Sequence, residues 1–151
     1  MELGAVFELK TKQGNAYLHY IYEDKELGEL VRVLPGFYTE RPTSFDEVAR
    51  GQERYMIFFP LAAASKRKLV EQVGAYPTAG FHKPKYMRTP HTVKGAFLGW
   101  HIVDTDTWHR QLVKTLTPAQ KRLSDWGSWN DTLLVERLEQ GWVLEDWQPF
   151  D

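Results

Sequence analysis

Five histidines, His19, His82, His91, His101 and His109, are the side chains of this chain that can titrate near neutral pH or ligate a transition metal. His101 and His109 stand on either side of Asp104-Thr105-Asp106, a run with good turn chemistry. A three-residue hairpin loop there would set the two rings directly opposite one another, with Cβ atoms roughly 5 Å apart, whereas a two-residue turn would put them on opposite faces. Zinc would need a third ligand, which no spacing supplies, so no metal or other cofactor is expected, and His101 and His109 are the candidates should one be held. Carboxylates cluster at Glu23, Asp24 and Glu26, at Asp104 and Asp106, and at Glu145 and Asp146. All three groups fall in turns or the tail, where carboxylates usually take local N–H groups and water. Ser44, Ser65, Ser124 and Ser128 lack the Gly-x-Ser-x-Gly surroundings of a nucleophile elbow, and there is no glycine-rich phosphate loop. No catalytic residue is assigned, and a small metal-dependent hydrolase built on His101 and His109 stands as the alternative reading.

A second constellation suits binding. Lys66-Arg67-Lys68 is a basic cluster, and Phe81, His82, Lys83, Lys85, Tyr86 and Arg88 interleave cations with rings. Together they would make a basic, aromatic surface of the kind that an acidic protein partner or single-stranded nucleic acid recognises. The whole chain carries a net charge of −1, from 19 basic and 20 acidic side chains, so no overall field gathers phosphate backbones. This favours a protein partner and argues against nucleic acid. There is no cysteine, hence no disulfide framework and no thiolate metal site. The N-terminal residues lack the pattern of a secretion signal, and no run approaches the roughly 18 apolar residues of a membrane helix. The expectation is a cytoplasmic protein that makes no membrane contact.

The elements that must position these groups can be read in order. Ala5–Leu9 is a strand, Lys10 to Asn15 a polar turn, and Ala16–Tyr22 a returning strand apolar on both faces and therefore central. Glu23 to Gly28 turns the chain into a third strand, Leu30–Leu34, stopped by Pro35-Gly36. Ser44 and Glu47 have capping-box spacing for a short helix over Phe45–Arg50. Tyr55–Phe59 reads as a buried strand, and Pro60 opens a helix over Leu61–Lys68. Leu69–Val73 fits either a helix or a strand. Gly74–Pro90, with three prolines, reads as a long mobile loop. Ala96–Val103 and Thr107–Val113 form a hairpin, and Thr117-Pro118 opens a short helix. The strongest signal lies at 125–142: Asn130 or Asp131 is an N-cap, Leu134 and Leu138 repeat at helical spacing, and Gly141 sits where a left-handed residue ends a helix. Three of the six tryptophans lie in this segment, which predicts that it docks into the core.

These pieces predict one domain over residues 1–151, of α+β class: a curled, small barrel-like antiparallel sheet of about six strands, with short helices packed on one side. Gly4-Ala5-Val6-Phe7-Glu8-Leu9, Leu30 to Gly36, Phe58-Phe59-Pro60-Leu61 and Trp129 to Arg137 resemble a family of small bacterial proteins associated with the immunity protein 26 group of bacterial toxin systems. The resemblance implies a non-enzymatic protein that blocks a toxin by occluding it. It carries over no individual functional residue.

Overall fold

The computed structural model describes residues 1–150 and is an α+β structure of two antiparallel sheets. The first comprises β1 (Ala5–Thr11), β2 (Gly14–Asp24), β3 (Gly28–Val33), β4 (Tyr55–Phe58) and β5 (Val70–Ala75), in the order β4-β3-β2-β1-β5. β2 is central, as its two apolar faces require. The turn before it falls on Lys12-Gln13. Gly14 opens the strand at φ 125°, where an added Cβ would lie 3.0 Å from the Tyr38 carbonyl oxygen, so a side chain is excluded there. Leu69–Val73, open between helix and strand in the sequence, resolves as strand from Val70 onward, within β5, where Val70 pairs with Leu9 of β1.

Strand alternation gives this sheet two buried faces. On one, Phe7, Leu18, Val31, Val33, Tyr55 and Ile57 pack under α2 (Leu61–Lys66), α3 (Asp131–Glu139) and Trp129. On the other, Val6, Tyr17 and Leu34 pack under α1 (Asp46–Arg50), through Phe45, Val48 and Ala49. Farther along that second face, Ile21, Leu30 and Phe58 meet Met87.

Met87 belongs to the second sheet, built from β6 (Tyr86–Val93), β7 (Ala96–Asp104) and β8 (Arg110–Val113) in the order β6-β7-β8. The expected single sheet of about six strands is therefore eight strands in two sheets, and it does not close into a barrel. The expected loop over Gly74–Pro90 is confined to residues 76–85, because β6 takes up its second half. Pro90 is tolerated there since β6 is an edge strand, where a missing N–H costs no ladder bond.

The aromatic segment after β8 joins the two sheets. The Arg88 N–H donates to the Ser124 carbonyl at 2.9 Å, and the Trp126 N–H to the Arg88 carbonyl at 2.8 Å, so this segment pairs with the outer edge of β6. Three residues on, the Trp129 N–H donates to the Phe58 carbonyl at 2.9 Å, on the outer edge of β4. α3 follows as its sequence predicts. Asn130 accepts the Leu133 N–H at 2.8 Å. At the other end Gly141 adopts φ 68°, and the N–H groups of Gly141 and Trp142 close onto Leu138 and Arg137. At Thr117 the side chain and Gln120 satisfy each other's backbone N–H groups, but only a 3-10 turn, Gln120–Arg122, follows. Ser44 instead accepts from Asp46, so no capping box forms at α1. Among the described residues no helix is long and apolar enough to cross a membrane.

Candidate functional site

The β7–β8 connection runs from Thr105 to His109, five residues rather than three, and Trp108 takes φ 65° within it. The longer loop moves His109 off the ladder, and His101 lies opposite Leu112. The His101–His109 pairing that a three-residue loop would have given is therefore absent; in the wider turn the Asp104 side chain accepts from the Asp106 and Thr107 N–H groups. His101 instead stacks on His91, with ring centroids 4.4 Å apart, and its Nδ1 accepts from Arg110 Nη1 at 3.4 Å. Burial, with His91 and Arg110 alongside, lowers its pKa. Among the described residues no three His, Asp or Glu side chains converge as a metal would need.

The expected basic surface is divided. Lys66, Arg67 and Lys68 are exposed at the end of α2, and α2 covers one face of the first sheet. Phe81 packs toward the other face, with the Arg32 guanidinium 3.8 Å from its ring centroid and His19 edge-on at 5.5 Å. Lys83 lies 3.0 Å from Asp106, and Lys85 lies 2.9 Å from Asp104, whose pKa the Lys85 contact and the Asp106 N–H pull down to about 2. His82 and Tyr86 are exposed. Arg88 is a correction: it is 0% exposed and touches no surface partner. Strand alternation turns it inward, opposite Ile102 and away from Met87.

What the chain does present is a distinctive second sheet. Of the nine large apolar side chains exposed among the described residues, five, Tyr86, Val93, Leu98, Trp108 and Leu112, lie on this sheet or its turns. Charge is segregated with them. Residues 76–123 hold eight Lys or Arg against two Asp, a formal charge of +6, while the rest holds eleven basic against eighteen acidic groups, or −7. The near-neutral total hides this division.

Beneath the sheet lies a cluster that no reading of isolated motifs finds. Arg88 is held between Trp100 and Trp147, and Arg137 between Trp129 and Trp142, each guanidinium carbon 4.4 or 4.5 Å from the ring centroids. Trp142 and Trp147 meet at 6.0 Å, so the two sandwiches form one ladder. Such cation–ring contacts strengthen when desolvated. Asp125 accepts the Trp129 indole N–H at 2.8 Å, and burial raises its pKa although both arginines oppose the rise. The sequence signal was present in the Trp residues at 129, 142 and 147, but the fourth ring, Trp100, and the two arginines come from β7, β6 and α3.

No protein-family model, curated protein or solved structure matches this chain.

Proposed function

We propose that this is a non-enzymatic binding protein whose second sheet docks an acidic protein partner. The observation that carries the reading is that most of the exposed large apolar side chains lie on the second sheet or its turns, while residues 76–123, which hold that sheet and the segments flanking it, carry the positive half of the charge. Apolar area supplies the contact energy, and the surrounding cations steer an acidic surface toward it and set its orientation. Tyr86, His82, Lys83 and Lys85 stay within this interface; Lys66, Arg67 and Lys68 fall outside it. In keeping with the bacterial immunity-protein resemblance, the mechanism is steric: the bound sheet covers the working surface of a toxin in the cytoplasm.

The test is stoichiometric capture from native lysate, identified by mass spectrometry and compared with a Leu98→Asp/Leu112→Asp variant. Both side chains are about half exposed, so the variant folds. A single partner that the parent retains and the variant loses, and whose growth inhibition coexpression of the parent relieves, is the expected result. Equal capture by both proteins rules out the second sheet. Steeply salt-dependent binding to single-stranded DNA with no protein partner would move the reading to nucleic acid, and stoichiometric metal lost on His101→Ala would move it to the hydrolase.

A further inference from the structure

The cleft between β7 and the C-terminal tail contains a cation that the fold leaves partly unsatisfied. Arg88 lies at its floor, between the faces of Trp100 and Trp147. Its Nε donates to the Leu123 carbonyl at 3.3 Å, and its Nη2 to the carbonyls of Lys121 at 3.0 Å and Leu144 at 2.7 Å. Its Nη1 is buried with no partner. Among the described residues no carboxylate comes within ion-pairing distance of it. Asp125 and Glu145 act on it only from farther off, and burial pushes its pKa down to about 10.

A buried guanidinium normally has a carboxylate or phosphate on its fork, because desolvation without an anion is costly. Here the three filled hydrogen bonds all go to neutral carbonyls. The cleft above is about 310 Å³, at the lower end of small-molecule sites, and Lys114 and Lys121 line it against a single acid, Glu145.

We propose that this cleft is an anion site, taking a small molecule through a carboxylate or phosphate group whose oxygen meets Arg88 Nη1 while Lys114 and Lys121 supply further positive charge. Two rings and three carbonyls fix the plane of the guanidinium, so access to Nη1 and not its own orientation is what has to change for that contact. Because Nη1 exposes no surface, the oxyanion reaches it with a small outward movement of Trp147 on the tail. The site shares Lys114 and Lys121 with the positive segment of the docking reading, but it rests on the surroundings of Arg88 and not on that reading.

The experiment is a titration of ¹⁵N-labelled protein with inorganic phosphate and, separately, with citrate, at constant ionic strength. The readouts are the Arg88 Nε–H and the Trp100 and Trp147 indole resonances. Saturable shifts confined to these groups are expected, and whichever anion saturates first identifies the oxyanion. Lys114→Glu/Lys121→Glu changes two exposed side chains and spares the Lys121 carbonyl that holds Arg88, so the fold survives. This variant should raise the half-saturation concentration about tenfold or more, whereas Leu98→Asp/Leu112→Asp should leave it unchanged. Shifts that fail to saturate with either anion, or that the double lysine variant does not weaken, overturn the proposal.

Discussion

Three interior arginines show how one residue type is accommodated at different cost. Arg32 has a carboxylate, Glu53, at 3.1 Å, and donates to the carbonyls of Ala49 and Gly51. Arg88 and Arg137 have indole faces instead. Arg32 also donates from Nη1 to His19 Nδ1 at 3.1 Å, which requires the other ring nitrogen, facing the Tyr76 carbonyl at 2.8 Å, to carry the hydrogen. His19 is therefore neutral. Burial, with Arg32 alongside, lowers its pKa, although the Tyr76 contact resists. In the unfolded chain the ring binds a proton near pH 6.5, so the unfolded state gains protons first as the solution is acidified. The stability that neutral His19 contributes is complete above that pH and is lost below it. The thermal midpoint should accordingly fall from pH 7 to pH 5, and His19→Gln should flatten part of that fall, with His101, which is shifted the same way, contributing in the same direction. A parent midpoint that stays level across this range would contradict a buried neutral His19.

Among the elements, α3 was legible because its signals are local: a cap residue, two leucines four apart and a glycine in the left-handed position. The structure uses each of them, and each has a measurable cost. Asn130→Ala removes the acceptor for Leu133 and should cost about 1 kcal/mol. Gly141→Ala meets no steric contact but forces a side chain into φ 68°, again about 1 kcal/mol. Each should lower the thermal midpoint by about 2–4 °C in a chain of this size, and because the two sites lie at opposite ends of the helix their effects should add. An Asn130→Ala midpoint equal to that of the parent would show that the cap bond is not formed in solution. β6 was not legible, since prolines at 84 and 90 read as loop until a strand order is known that leaves β6 at an edge. The β7–β8 hairpin was recognised but its register was not, because a loop of five residues and one of three carry the same Asp-Thr-Asp signature.

For the whole molecule, the segment from Ser124 to Trp129 decides how the two sheets sit together, bonding both β6 and β4 at Ser124 and β4 again at Trp129. Trp129 is 2% exposed, stacks on Tyr55 and Trp142, and anchors Asp125. Trp129→Ala should therefore cost about 3–5 kcal/mol, and hydrogen exchange should show β4 and β6 amides losing protection together. Loss confined to β4 would mean that the sheets are held independently. By itself the sequence determined the α+β class, the opening three-strand meander and the capped C-terminal helix, because alternation, turn residues and caps act within a few residues of one another. Tertiary structure alone decided that the strands divide into two sheets, and that Arg88 turns inward while Lys83 and Lys85 pair with the β7–β8 turn. Those outcomes rest on contacts between residues distant in the chain, such as Arg88 with Trp147 and Phe58 with Trp129, whose energies exist only once the chain has brought them together.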